Sequence, residues 1–161
     1  MMFAQCSFKN CQHESKQIDL DSEEHICDKK SYAKKYYHKD CYTNKCNIEK
    51  AIDLWYKHID KDVSFPSLMR ILKELVFKKK NDSGYIVFAL KYCIDNDYNL
   101  NYPPGLRYFI ERQEIKDAYA QKKLKQLKAK GYRYEISEDD SPKFAPVDKR
   151  PKGFSSIFKK G

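Results

Sequence analysis

Apolar residues recur at helical spacing in four stretches of the chain. From Asn47 onward, Ile48, Ile52, Trp55, Tyr56 and Ile59 fall at i, i+4, i+7, i+8 and i+11, which predicts an amphipathic helix of about three turns ending near Asp60-Lys61-Asp62. Ser64 and Pro66 then supply an N-cap and a proline for the first turn of a second helix. Its stripe is Leu68, Ile71, Leu72, Leu75 and Val76, and Lys78-Lys79-Lys80 end it with cations suited to the negative end of the helix dipole.

Asp82-Ser83-Gly84 opens a third helix. Tyr85 to Ile94 is apolar nearly all round, the pattern of a helix buried on every side, and Cys93 reads there as a small hydrophobe. Two helices joined by a short turn resemble a helix-turn-helix unit. The second of the pair would then have to read the major groove, and with one lysine and an acidic setting it reads as core instead.

Tyr102-Pro103-Pro104-Gly105 breaks the chain, and Leu106 to Lys130 contains neither Pro nor Gly. The stretch predicts one helix of about 25 residues, roughly 37 Å long. Leu106, Tyr108, Phe109, Ile110 and Ile115 suit its first half to docking on the body. The second half keeps only the narrow stripe Ala120, Leu124 and Leu127 before Gly131, a residue suited to terminating a helix.

Residues 1–46 lack this period and are read as a metal-held module. The fold expected is mostly α: a small zinc-bound β-knuckle, treble-clef-like module over 1–46, a helical domain of about four helices over 47–134, and a flexible tail over 135–161. Composition agrees. Aromatics at 14% supply a core despite a mean hydropathy of −0.85, and five glycines with six prolines argue against a turn-rich all-β fold.

The net charge is +9, and +6 of it lies on residues 105–134. Lys116, Lys122, Lys123, Lys125, Lys128, Lys130 and Arg133 are therefore the candidate phosphate contacts, for DNA ahead of RNA. No apolar leader and no stretch of roughly 18 apolar residues is found, so a cytoplasmic protein without a membrane partner is expected.

Five of the six cysteines fall within the first 46 residues. In a reducing compartment such a cluster points to metal. The spacing Cys6-x4-Cys11-x26-His38-x2-Cys41 offers three thiolates and one imidazole, the donor set of a closed tetrahedral Zn²⁺ site. His-x2-Cys is the spacing at which a strand end and the first turn of a helix aim two ligands the same way. His13, His25 and Cys27 are alternatives for the first two ligands, because Cys-x4-Cys and a 26-residue loop are both wider than usual.

The run YYHKDCY following a Cys pair resembles the zinc-binding half of a LIM-type finger. Together with GYIVFALKY, it makes residues 1–125 similar to a family of small tailed-bacteriophage proteins. The resemblance implies a zinc finger followed by a helical domain, and a phage or prophage setting. It implies no catalytic residue.

An enzyme is not expected. There is no Gly-rich phosphate loop, no Gly-x-Ser-x-Gly turn and no His-Glu-x-x-His, no small-molecule substrate is evident, and His58 on the first helix is a surface residue. Two binding classes remain. The chain is a nucleic-acid binder working through its basic helix, or it docks on host or phage replication or transcription proteins. In the second case the apolar residues Phe154, Ile157 and Phe158 of the basic C-terminal end are candidate contacts.

Overall fold

The computed structural model describes residues 1–29 and 33–130, with the backbone of residues 132–135 and 143–146. The chain begins with two short antiparallel hairpins. β1 (Phe3–Gln5) pairs with β2 (Gln17–Asp19), Ala4 opposite Ile18, and β3 (His25–Asp28) pairs with β4 (Lys35–His38), His25 opposite His38. Two-stranded ladders this short do not hold themselves together in water. They are tied by a parallel bridge between Cys6 and Tyr36, where the Ser7 N–H donates to the Tyr36 carbonyl at 2.8 Å. Lys16 takes a left-handed φ of 51° just before β2, turning the loop so that its carbonyl accepts from the Cys6 N–H at 2.7 Å. The buried cluster between these pieces is Cys6, Cys11, Ile18, Tyr37 and Cys41, so three of its five members are thiols.

α1 (Lys39–His58) follows β4 with no intervening loop. The sequence pattern starts this helix at Asn47; it starts eight residues earlier, because its buried stripe is Cys41, Ile48, Ala51 and Trp55. The first member of that stripe is a cysteine that the pattern sets aside as a ligand. The boundary expected after residue 46 therefore lies inside a continuous helix, whose first turn belongs to the hairpin cluster and whose remainder belongs to the helical core.

α2 (Phe65–Lys73) begins after Ser64 with Pro66 in its first turn, as the pattern predicts. It runs into a π-helical turn over Glu74–Lys78, with the Lys79 N–H donating to the Glu74 carbonyl at 3.0 Å. Asn81 closes that end, giving its side-chain amide to the Leu75 carbonyl at 3.0 Å. α3 (Ser83–Asp95) is capped by Asp82, whose carboxylate accepts from the Gly84 N–H at 2.9 Å. It buries Tyr85, Ile86, Ala89, Leu90 and Cys93, packs chiefly on α1, and joins it through Asn47 Nδ2 donating to Ser83 Oγ at 2.9 Å.

The single helix expected over Leu106–Lys130 is two. After a 3₁₀ turn at Pro103–Gly105, α4 (Leu106–Glu111) stops at Arg112, whose ψ of 129° is extended, and α5 (Gln113–Ala129) starts afresh. No breaker residue marks the spot. The Arg112 guanidinium sits 4.9 Å from the Tyr98 and Phe109 rings and 5.0 Å from that of Tyr108, and donates to Glu114 at 3.2 Å. Nearby, the Tyr85 hydroxyl donates to the Ile110 carbonyl at 2.6 Å. Burial pushes the Tyr85 phenol up to about 12, so it remains a donor at neutral pH.

Met1–Lys116 forms one compact unit and Asp117–Gly161 a second. In the second, β5 (Tyr132–Glu135) pairs antiparallel with β6 (Lys143–Pro146). A paired strand thus stands within the stretch expected as a tail from residue 135. Gly131, Phe154, Ile157 and Phe158 lie outside the described residues. Among the described residues no helix is long and apolar enough to cross a membrane.

Truncating the fully buried Leu72 to Ala should lower the unfolding free energy by about 2–5 kcal/mol. Removing the helix cap with Asp82→Ala should cost about 1 kcal/mol. Exposed Lys91→Ala should stay within about 0.5 kcal/mol of the parent. Urea unfolding followed by far-ultraviolet circular dichroism measures all three.

Candidate metal centre

Two structural pieces aim four side chains at one point. The first is the tight turn after β1: Cys6 follows the strand's last residue, and the Cys11 N–H donates to the Phe8 carbonyl at 3.1 Å, folding the six residues 6–11 into a knuckle. The second is the strand-to-helix junction, where His38 is the last residue of β4 and Cys41 lies in the first turn of α1. One strand residue and one residue a helical turn further on point to the same side, which is what the His-x2-Cys spacing predicts.

The Sγ atoms of Cys6, Cys11 and Cys41 and a ring nitrogen of His38 all lie within 4.8 Å of one another, and all four residues are buried. His38 Nδ1 is 3.5 Å from Cys11 Sγ and 3.9 Å from Cys41 Sγ. A tetrahedral ion with sulfur at about 2.3 Å and nitrogen at about 2.0 Å has ligand-to-ligand edges of roughly 3.5–3.8 Å, so this cluster could hold a metal ion.

The far side of the imidazole fits the same reading. His38 Nε2 lies 3.2 Å from the Gln17 carbonyl, which can only accept, so Nε2 carries the proton and Nδ1 turns a lone pair toward the three sulfurs. The Glu23 carboxylate stands 4.0 Å from the same Nε2 and favours that polarity. His13 stacks on His38 with ring centroids 3.7 Å apart and planes 16° from parallel. Its Nε2 is held 3.1 Å from each oxygen of Asp40.

Burial pushes the Cys11 and Cys41 thiols up from their ordinary value; Cys6 adds to both shifts and Cys11 to that of Cys41, whereas the Cys41 thiol lowers Cys11. Opposing this, the His13 backbone N–H donates to Cys11 and favours its thiolate. A divalent cation at the centre reverses the balance, because its charge exceeds what burial and mutual repulsion cost each thiolate. Burial would raise Asp40 too, yet the His13 bond and the backbone N–H groups at the start of α1 hold its carboxyl below the usual range.

Cys6, Cys11, His38 and Cys41, singled out by spacing, come together. The alternatives do not replace them. His25 Nδ1 is bonded to the Glu23 carbonyl at 3.0 Å, and Cys27 is half-buried outside the cluster. His13 forms an adjoining group with Asp40 and Cys41. That His13–Asp40 pair is the part of the site sequence reasoning missed. Its only signal is that each member lies next to or two residues from a ligand in a chain segment with no period to read. Cys93 is far from this chemistry, buried in the helical core with its thiol pushed up to about 11.

The lysines of α5 are exposed, as the pattern requires, with Leu124 and Leu127 half-buried and Ala120 exposed. Some are already engaged: Lys116 pairs with Glu111 at 2.9 Å, and Lys123 lies 4.8 Å from the Tyr119 ring. The side chain of Arg133 lies outside the described residues. No protein-family model, curated protein or solved structure matches the chain.

Metal analysis of gel-filtered protein should find one divalent ion per chain. Cys11→Ser or His38→Ala should abolish it, whereas His25→Ala, Cys27→Ser and His13→Ala should keep it. Retention by the first two variants would remove the four-ligand assignment.

Proposed function

We propose that the cluster holds Zn²⁺ as a closed structural site, and that the protein is a non-enzymatic, treble-clef-like and LIM-like zinc finger that binds nucleic acid, DNA ahead of RNA. The observation carrying the zinc is the donor set: three cysteine sulfurs and one imidazole nitrogen, all four residues buried, with the ligand atoms within 4.8 Å of one another. All four coordination positions come from the chain. Such a site supplies folding free energy, of order 10–16 kcal/mol in small zinc peptides, and leaves no position for a substrate.

The order of elements supports the treble-clef reading. A knuckle gives two ligands, a hairpin follows, and the hairpin's last residue and the next helix's first turn give the other two. The likeness to small phage proteins rests on pieces that frame this arrangement. YYHKDCY runs from β4 into α1, and GYIVFALKY is the body of α3, which packs on α1.

Nucleic acid is favoured as partner by the exposed lysine series of α5. If five of these lysines neutralise phosphates, log K for duplex DNA should fall with log salt at a slope of about −4.5. Lys122→Ala with Lys125→Ala should flatten that slope by about 1.8. Fluorescence anisotropy at several salt concentrations reads both. Binding that is absent at low salt leaves docking on a host or phage protein as the reading, with exposed Tyr102 and Tyr108 as its first candidates.

A further inference from the structure

Beside the knuckle, α2 and the π-helical turn wall a cleft of about 730 Å³. It adjoins a second of about 380 Å³, and the two share Asn10, Gln12 and Phe77. Together they make a track and not a closed cavity. The floor is apolar and partly aromatic: Phe65, 51% exposed, Met69, and Phe77, whose ring lies 5.8 Å from that of Phe8.

The larger cleft is cationic, lined by Arg70, Lys73 and Lys78, whereas the smaller carries Lys80 beside Asp40 and Asp82. Arg70 and Lys73 make no ion pair among the described residues, whereas Glu74, the one carboxylate on the larger cleft, is already bound to Arg107 at 2.6 Å. The opposite wall belongs to the knuckle and offers the amides of Asn10 and Gln12, groups that both donate and accept. Phe77 and Lys78 stand on the π-helical turn, a distortion that occurs often at functional sites.

We infer that this track is a docking site for single-stranded DNA, an inference that rests on the nucleic-acid reading above and assigns it a second surface. Bases stack on Phe65 and Phe77, phosphates pair with Arg70, Lys73 and Lys78, and the amides face base edges. A duplex hides its base faces and has no use for an aromatic floor. An acidic peptide satisfies the cations and can pair its backbone with the knuckle amides, but its carboxylate side chains offer no flat ring to stack on Phe65 and Phe77.

The test uses the full zinc-loaded chain and a fluorescein-labelled 15-residue oligothymidylate, with the corresponding 15-base-pair duplex, oligouridylate and polyglutamate as comparison arms. Phe65→Ala should weaken oligothymidylate binding about 5- to 100-fold. Arg70→Ala with Lys73→Ala should flatten the single-strand salt slope by about 1.4. Both variants should keep the parent's zinc content, circular dichroism and duplex affinity.

Unchanged oligothymidylate binding in Phe65→Ala overturns the inference. So does an equal loss on duplex and single strand, tighter binding of oligouridylate, or competition by polyglutamate at equal charge. If Lys122→Ala with Lys125→Ala abolishes duplex binding while the groove variants bind single strands normally, the inference fails and the α5 reading stands. Groove-dependent binding of single strands without duplex binding supports the inference and removes the α5 contacts. A parent chain that binds neither overturns both.

Discussion

Burying three thiols and an imidazole within 4.8 Å of one another brings together groups that can all bind a cation, three of which repel one another as thiolates. The rest of the N-terminal half follows from how this cluster is balanced. Its strands are three or four residues long, and among the described residues its buried cluster adds Ile18 and Tyr37 to the cysteines, with Phe8, Leu20, Tyr36 and Tyr42 partly buried against it. Apolar burial of that size cannot offset the entropy of ordering some forty residues. A cation shared by the four side chains would convert the repulsion between thiolates into attraction, and three sulfurs with one nitrogen are the donors of the proposed zinc.

The same cluster couples the two halves of the first compact unit. His38 ends β4 and Cys41 begins the buried stripe of α1, so the helix is anchored at one end by the ligands and along its length by Trp55, Ile48 and α3. There is no linker to separate module from body. A helix spanning both transmits the orientation of the knuckle directly to the core. The cleft between the knuckle and α2 has its aromatic and cationic side chains together on the wall formed by α2 and the π-helical turn.

Much of this was legible beforehand, and what was not has a common cause. Periodicity located α2 and α3 closely, since their apolar residues face one core and obey one period. It misplaced the start of α1, because Cys41 serves the ligand cluster and the helix stripe together. It also merged α4 and α5, since the break at Arg112 comes from three aromatic rings and Glu114, brought together from Tyr98 to Glu114 by the fold. Local helix propensity favours continuity there, and a cation set among tilted and edge-on rings opposes it.

The sequence by itself determined the donor chemistry and singled out Cys6, Cys11, His38 and Cys41, with His13, His25 and Cys27 as alternatives to the first two, because metal coordination selects residue types and their spacing at strand ends and helix turns. It also determined where positive charge concentrates, since charge needs no fold to be counted. Only the tertiary structure decided that Cys6, Cys11, His38 and Cys41 come together while His25 and Cys27 stand outside, which nitrogen of His38 faces the sulfurs, and where cationic and aromatic side chains line one cleft. Those depend on carbonyls such as that of Gln17 and on side chains such as Asn10 and Arg70, sixty residues apart in the chain. Contacts between distant residues leave no period in a sequence, and backbone oxygens leave no trace in it at all.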